Sequence, residues 1–262
     1  MVYLSSFHFL SDFEEADFLF PPKKNDEFGV PVPQYKVKNQ LGLLSAASSS
    51  YPFDIFPLKK MDTLEFKTPV TILHGTNGSG KTTALNIIAE KLHLSRDSLF
   101  NKSTLMDSYV SLCSYSSDEI PRNSRMISSD DVFDYMLKLR AINQQVGFVK
   151  KHVAGNIQER SNGESALMYF EEKIEENALY LLDEPENSLS PEKQLQLVEY
   201  INASAVACGC QFIIATHSPF LLSMKYAKVY DLDETPVCIK KWTELKNVRQ
   251  YRDFFKSHEQ EF

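Results

Sequence analysis

The chain has no long apolar run. None of its hydrophobic stretches approaches the roughly 20 residues that a helix needs to cross a bilayer. The first residues, from Met1 to His8, carry no basic leader followed by a long apolar core, so the pattern is not that of a secretory signal. We therefore expect a cytoplasmic protein without membrane insertion.

Cysteine and basic charge are also scarce. The four cysteines (Cys113, Cys208, Cys210, Cys238) lack the spacing of a disulfide or zinc framework, and we expect packed, reduced thiols. The net charge of −7 argues against a broadly basic nucleic-acid surface, although a local groove stays open. The remaining composition, 43% hydrophobic and 24% charged, is that of an ordinary globular protein.

A glycine-rich loop stands out against this background. Residues Gly75–Thr82 have the pattern G-x-x-x-x-G-K-T of a phosphate-binding loop, or P-loop. The apolar run Val70–Leu73 before it predicts a buried strand, and the amphipathic segment Ala84–Leu92 after it predicts a helix. Such glycines let backbone N–H groups converge on phosphate oxygens at a helix N-terminus. The predicted nucleotide-binding residues are Gly75, Thr76, Asn77, Gly78, Ser79, Gly80, Lys81, Thr82 and Thr83.

Two later apolar strands are predicted to end in polar groups. The first, 178–182, leads into Asp183 and Glu184, and the second, 211–216, leads into His217. Lys81 could neutralise the β- and γ-phosphates, while Thr82 and Asp183 could hold Mg²⁺. Glu184 could accept the proton of the attacking water, and His217 could sense the γ-phosphate. Each feature alone also fits a solvated strand end or a structural histidine, so the prediction rests on their combination.

Strands that alternate with helices predict an α/β fold. We expect a mostly parallel sheet flanked by helices, the P-loop NTPase arrangement, with phosphate chemistry at the carboxyl ends of the strands. A single domain over residues 1–262 would contain an irregular insertion at roughly 21–50 and an inserted helical subdomain at roughly 95–160. The aromatic stretch 51–57 could stack on adenine or cap the sheet edge. Further strands are predicted within 2–10 and at 63–66, 126–127, 229–232 and 237–240. Further helices are predicted after Ser128 or Ser129, after Ser190 and from Lys246. The helix after Ser190 is expected to bury Leu195, Val198 and Ile201.

The spacing of these features resembles that of the ABC-type ATPase superfamily. Ser161 lies 22 positions before Asp183, and His217 lies 33 positions after Glu184. These are the intervals expected between signature, Walker B and switch histidine. Ser161, Asn162, Gly163 and Glu164 resemble a degenerate signature motif with an acidic residue in place of glutamine, and 187–190 occupies the D-loop position.

Within that superfamily the chain resembles the soluble SMC/RecF-like branch, especially small bacterial "predicted ATPases" of the AAA family that lack a coiled coil. Glu164 matches the acidic signature residue of this branch, and the strings at 181–186 and 212–219 match those small ATPases. The 102 positions from Lys81 to Asp183 leave no room for coiled-coil arms. No glutamine lies where the Q-loop glutamine is expected. Asp130 or Asp131 is the candidate to stand in its place, and Gln144 and Gln145, which lie later in the predicted helix, fit less well.

The resemblance implies an Mg-dependent ATPase with ATP and Mg²⁺ as cofactors. Two copies are expected to pack head to tail, with Ser161 and Gly163 of one closing over the γ-phosphate held by Lys81 of the other. ATP would then drive a dimerisation switch, with a nucleic acid or an effector protein as a further partner. DNA repair, phage defence and a toxin–antitoxin pair all remain open. The alternatives are a nucleotide-binding subunit of a membrane transporter and a P-loop kinase with a small acceptor.

Overall fold

The protein is described here by a computed structural model that covers residues 1–19, 51–53, 58, 60–98, 100, 102–103, 105–150 and 162–262. Its strands are β1 (Leu4–His8), β2 (Thr63–Glu65), β3 (Val70–His74), β4 (Ser114–Ser117), β5 (Arg125–Ser128), β6 (Leu179–Asp183), β7 (Gln211–Ala215), β8 (Lys228–Asp231) and β9 (Cys238–Lys240). Its helices are α1 (Asp12–Leu19), α2 (Lys81–Lys91), α3 (Met106–Leu112), α4 (Ser129–Lys150), α5 (Asn162–Lys173), α6 (Pro191–Ala207), α7 (Pro219–Leu222) and α8 (Lys246–Ser257). Short 3₁₀ turns lie at Trp242–Glu244 and Glu259–Glu261.

The central sheet has six strands in the order β5-β6-β7-β3-β8-β9. The first five run parallel, and only β9 is antiparallel to its neighbour. Every residue of β3, β6 and β7 is buried, because a parallel sheet covered on both faces selects near-continuous apolar runs. The predicted α/β fold with a mostly parallel sheet is confirmed.

Side chains of these strands alternate between two apolar cores. On β6, Leu179 and Leu181 join the core that contains helix α2, whereas Tyr180 and Leu182 join the core that contains α5 and α6. This alternation follows from the two-residue period of a strand. Helix α2 is buried over most of its surface, including the predicted face, because it packs directly under the sheet.

A second, three-stranded sheet lies at the amino-terminal side of β7. Its order is β2-β1-β4 and both pairs are antiparallel, so the predicted strands within 2–10 and 63–66 belong to this sheet. The fully buried Gln211 side chain connects the two sheets. Its Oε1 accepts hydrogen bonds from Tyr3 N (2.7 Å) and Leu4 N (2.9 Å), and its Nε2 donates to Leu4 O (2.8 Å).

The middle segment, predicted as a helical subdomain at roughly 95–160, is more mixed. It contains helices α3 and α4, but also β4 of the small sheet and β5 at the edge of the central sheet. The helix predicted after Ser128 or Ser129 is α4, whose first turn carries Asp130 and Asp131. Residues 151–161 of this segment, and the predicted insertion at 21–50, lie outside the described residues.

Helix α6 shows one wrong prediction about burial. Ser190 caps it as expected and accepts a hydrogen bond from Lys193 N, with Pro191 at the first helical position. However, Leu195 is 48% exposed, whereas Leu197 and Ile201 are buried. The apolar face is therefore rotated from the predicted one, since position 197 shares a face with 201 at four-residue spacing.

The carboxyl ends of the central strands meet at one edge. In register, Leu73 of β3 pairs with Ala215 of β7, Ala215 pairs with Asp183 of β6, and Asp183 pairs with Ser128 of β5. The residues that follow these strands must therefore lie side by side. Among the described helices, none is both long and apolar enough to span a bilayer.

Candidate active site

The P-loop follows β3 and runs into α2 as predicted. Gly80 precedes the helix with φ of 87°, a left-handed conformation that favours glycine, and no side chain caps the first N–H groups of the helix. A Cβ on Gly75 would lie 2.4 Å from Ser79 Oγ and 3.1 Å from Leu232 Cβ. The loop is thus closely packed at its start, and the uncapped helix N-terminus is available to an anion.

Lys81 lies buried inside this loop. Its Nζ donates to Gly75 O at 2.8 Å and to Thr76 O at 3.3 Å. Burial lowers the pKa of the ammonium, while Glu184 and Asp183 act in the opposite direction. The side chain is therefore a desolvated cation that lies along the backbone of the loop.

Thr82 and Asp183 come together across the sheet edge. Thr82 Oγ1 donates to Asp183 Oδ1 at 3.1 Å. Burial raises the pKa of Asp183 to about 6, the Thr82 hydroxyl acts to lower it, and the nearby Glu184 raises it further. A hydroxyl and a desolvated carboxylate are oxygen ligands of the kind that Mg²⁺ prefers, so these residues fit the predicted cation.

Glu184 stands at the turn after β6 in a strained conformation. Its φ is 47°, unusual for a residue with a side chain, and such strain concentrates at functional sites. Its backbone N donates to Ala215 O at 2.9 Å. Its Oε2 accepts from Asn187 Nδ2 at 2.9 Å, and its Oε1 lies 3.5 Å from His217 Nε2.

His217 faces Glu184 from the turn after β7. The 3.5 Å separation does not form a hydrogen bond, and among the described residues the buried Nε2 has no partner. Burial and then the Lys81 ammonium lower the pKa of the imidazole, whereas Glu184 and Glu186 act to raise it. The ring is therefore neutral at pH 7 and keeps one nitrogen for a further contact.

Sequence reasoning missed two carboxylates that hold these loops. Glu186 Oε1 accepts hydrogen bonds from the loop at 216–218 after β7, which we call the switch loop. The Asp233 carboxylate accepts from Thr76 N (2.8 and 3.0 Å) and from Thr76 Oγ1 (2.9 Å). The only local signal for Glu186 was its own place as the last residue of the matched string 181–186. Asp233 follows β8 in a polar loop and carries no pattern.

Asp233 belongs to a cluster with His74 and Asp231 whose ligand atoms lie within 4.8 Å of one another. Both carboxylates already have partners, because Asp231 Oδ2 accepts from Lys240 Nζ at 2.8 Å and Asp233 binds Thr76. Asp233 N also donates to Asp231 Oδ1 at 3.2 Å. We interpret the cluster as support for the P-loop.

The aromatic stretch 51–57 is described only in part. Phe53 is 1% exposed and belongs to the core around α2, while one of its ring faces stacks on the exposed Phe18, so it does not face a ligand. The Tyr51 hydroxyl lies 3.4 Å from Thr83 Oγ1, beside the start of α2. Core packing therefore accounts for Phe53, and adenine stacking by the stretch 51–57 stays a prediction, with residues 54–57 outside the described residues.

The Q-loop candidate Asp131 has a structural role. It is buried, its Oδ2 accepts from Ser128 N at 2.7 Å, and its Oδ1 accepts from Ser98 N at 2.6 Å. Asp130 is exposed. Ser128, the last residue of β5, pairs in register with Asp183 at the sheet edge.

The predicted signature is only partly described. Ser161 lies outside the described residues, and Asn162, Gly163 and Glu164 form the first turn of α5. A Cβ on Gly163 would lie 3.2 Å from Lys193 Cγ on α6. The prediction that these residues act on a second copy stays a prediction.

Two cavities flank His217. One of about 650 Å³ is lined by P-loop residues and by Asp233. The other, of about 770 Å³, separates Asn187 and Ser218 from helix α8. Gly163 and Glu164, in the first turn of α5, are not among the residues that line these two cavities.

Comparison with known proteins finds similarity to ATPases. The family model described as AAA ATPase domain (AAA_15) matches residues 146–222, which contain Asp183, Glu184 and His217 but not the P-loop. The zinc import ATP-binding protein ZnuC of Acinetobacter baylyi is 25% identical over 162 residues. That alignment covers 61% of this chain and 61% of ZnuC, so the chain spans less than two thirds of this relative.

Two solved structures show remote similarity. A metal-chelate type ABC transporter in an inward-facing conformation has a TM-score of 0.44 at 15% identity, covering 74% of this chain and 82% of that chain. The ATP-binding cassette MJ0796, in a dimeric post-hydrolysis state bound to ADP and Pi, has a TM-score of 0.39 at 15% identity. That match covers 70% of this chain and 90% of MJ0796.

Proposed function

We propose that the chain binds ATP with Mg²⁺ at the P-loop and hydrolyses it with Glu184 as the general base. One observation carries this proposal. The uncapped α2 terminus with Lys81, the Thr82–Asp183 pair, and the Glu184–His217 pair converge at the carboxyl ends of the neighbouring strands β3, β6 and β7. The α2 terminus with Lys81 would bind the phosphate chain, the Thr82–Asp183 pair would bind the cation, and the Glu184–His217 pair would bind the attacking water.

Lys81 would bind the phosphates by exchanging partners. Its ammonium now donates to the carbonyls of Gly75 and Thr76. Anionic phosphate oxygens at the same place would form stronger, charge-assisted hydrogen bonds with it. They would also favour the charged form that burial now disfavours.

Thr82 and Asp183 would hold Mg²⁺, which would supply neutralisation of the charge that develops on the transferred phosphate. The carboxylate is 8% exposed, so it is poorly solvated as an anion. Thr82 Oγ1 lies 3.1 Å from Asp183 Oδ1, so the two oxygen atoms that would coordinate Mg²⁺ are already neighbours. Asp183 would thereby also orient the Thr82 hydroxyl.

Glu184 would accept the proton of the attacking water. Asn187 holds its Oε2, and this contact leaves Oε1 on the side of His217. His217, neutral at pH 7, would use its unpartnered Nε2 toward the γ-phosphate. The products would be ADP and inorganic phosphate.

Two variants test this proposal. Lys81→Ala should abolish ATP binding in calorimetry, whereas the matched Lys91→Ala at the other end of α2 should bind like wild type. Glu184→Gln should bind Mg-ATP yet release phosphate at least about 100-fold more slowly, because the amide cannot accept the proton. Wild-type affinity in Lys81→Ala would refute the P-loop site. A phosphorylated acceptor in place of free phosphate would indicate the kinase alternative.

We further propose that ATP joins two copies through the 161–164 segment. The N-terminus of α5 would offer an anion site, and Gly163 and Glu164 in its first turn line neither of the two cavities beside His217. A second copy could bring it to the γ-phosphate. The output would be a conformational switch, and a nucleic acid or an effector protein would receive it, in DNA repair, phage defence or a toxin–antitoxin pair.

A transporter subunit is the second candidate, favoured by the similarity to ZnuC, whose name is that of a zinc import ATP-binding protein. In that case a membrane protein would receive the ATP-driven movement. Purification of the native complex in mild detergent distinguishes the two. A stoichiometric membrane protein would support the transporter subunit, and its absence from an active dimer would support the soluble switch.

A further inference from the structure

Glu186 holds the switch loop through a single oxygen atom. Its Oε1 accepts hydrogen bonds from Thr216 Oγ1 (2.5 Å), His217 N (2.8 Å) and Ser218 N (3.0 Å). Three donors from three consecutive residues therefore converge on one carboxylate oxygen. Hydrogen bonds to an ionised acceptor are about twice as strong as neutral ones, so this contact fixes the backbone on both sides of the histidine.

The second carboxylate oxygen of Glu186, Oε2, also bears on the role of this side chain. Among the described residues, the buried Glu186 Oε2 has no hydrogen-bond partner. A carboxylate that served only general solubility or a helix cap would not leave one oxygen buried and unpaired, since this is unfavourable. The three hydrogen bonds to Oε1 offset that loss, so the loop contact is what keeps the side chain there.

Glu186 is also covalently close to the proposed base. Glu184, Pro185, Glu186 and Asn187 form one turn after β6, in which Asn187 N donates to Glu184 O at 3.2 Å. Asn187 Nδ2 in addition donates to Glu184 Oε2 at 2.9 Å. The turn that carries Glu184 is therefore the same turn whose Glu186 binds the switch loop.

The geometry points to Glu186 as a positioning residue, and this inference rests on the proposed ATPase function. We propose that Glu186 sets the 3.5 Å separation of His217 Nε2 and Glu184 Oε1 and couples the two loops. A shift of His217 when the γ-phosphate leaves is then transmitted through Glu186 to Asn187 at the predicted D-loop. The side chains of Glu184 and His217 do not provide this link, because they are not hydrogen-bonded to each other.

Glu186→Gln tests the role with little change of shape. The variant keeps an oxygen that can accept but loses its charge, so we expect kcat to fall about tenfold while KM and the ATP dissociation constant change less than about threefold. Glu186→Ala should lower kcat about 100-fold. The control is Glu192→Gln, because Glu192 is exposed in the first turn of α6 and should leave kcat unchanged.

A double-mutant cycle separates positioning from general stability. If Glu186 acts through His217, Glu186→Gln should have almost no effect on kcat in a His217→Gln background. Equal effects in both backgrounds would overturn the inference, as would a wild-type kcat in Glu186→Gln. If the alanine variant does not fold, the glutamine variant still gives the answer.

A second readout does not depend on activity. The imidazole Cε1–H signal of His217, assigned with His217→Gln, should shift in Glu186→Gln and stay in place in Glu192→Gln. An unmoved signal would overturn the positioning role even if the chain hydrolysed no ATP. Failure of the proposed function would instead show as absent ATPase activity in wild type, with the shift still present.

Discussion

Replacing Asp183 by asparagine should stabilise the nucleotide-free protein while it impairs the proposed chemistry. Asp183 is 8% exposed, and its Oδ1 accepts a hydrogen bond from the Thr82 hydroxyl at 3.1 Å. Burial raises its pKa from 3.8 to about 6, which means that the anion is disfavoured in the folded state. Asparagine keeps an oxygen for the Thr82 hydroxyl and removes the buried charge.

The expected gain in stability of Asp183→Asn follows from the raised pKa of Asp183. Two pKa units correspond to about 3 kcal/mol of unfolding free energy above pH 6, as an upper value. The folded state binds the proton more tightly, so wild type loses stability as the pH rises from about 4, the unfolded pKa, to about 6. The advantage of Asp183→Asn should therefore be full at pH 8, where it amounts to about 6 °C in Tm, and should vanish below about pH 4.

Thermal unfolding followed by circular dichroism at pH 8 and pH 4 measures this difference. The control is Asp231→Asn, which removes a second buried aspartate at the end of β8. Because Asp231 is paired with Lys240 at 2.8 Å, its loss should destabilise. Saturating Mg-ATP should raise the Tm of wild type more than that of Asp183→Asn. An Asp183→Asn protein no more stable than wild type at pH 8 would refute the reasoning.

Three further predictions concern the P-loop, the signature and a distant turn. Gly75→Ala should weaken ATP binding at least about tenfold in calorimetry, because its Cβ would overlap Ser79 Oγ at 2.4 Å; unchanged affinity would contradict the packing of the loop. Ser161→Arg should retain single-site ATP binding but lose turnover, and mixing it with Lys81→Ala should restore part of the ATPase activity; full activity of Ser161→Arg alone would reduce the motif to a helix cap. Gly209→Ala should lower stability by at least about 1 kcal/mol in chemical denaturation, since Gly209 has φ of 67° and its Cβ would lie 2.5 Å from Asn177 Oδ1; an unchanged midpoint would contradict that strain.

The convergence of the candidate site residues was largely predictable, because these residues follow strands directly. A buried strand ending in Asp183 and Glu184, or in His217, fixes the position of the next residue at the sheet edge, so local pattern and topology together bring them to the P-loop. Glu186 and Asp233 were not predictable. Their partners, Thr216 to Ser218 and Thr76, are distant in the chain and depend on loop conformation.

The fold shows the same division. The apolar runs of β3, β6 and β7 predicted a parallel sheet, because burial on both faces leaves a clear signal. The exposed residues of β4 did not reveal a strand, since its pairing with β1 depends on a partner more than 100 residues away. On α6, Leu195 and Leu197 differ by two positions, and only the packed neighbours decide which of them is buried.

We propose above all that bound ATP holds two copies of the chain together. Hydrolysis of this ATP with Glu184 as the base then separates the two copies. Light scattering of Glu184→Gln at saturating Mg-ATP tests this proposal most directly, with Lys81→Ala as the control that cannot bind. We predict that Glu184→Gln has twice the mass of the 30.0 kDa chain with Mg-ATP and returns to a single copy when ATP is removed, while Lys81→Ala stays at one copy throughout. A Glu184→Gln protein that stays monomeric and still releases phosphate at the wild-type rate would contradict both the base and the switch.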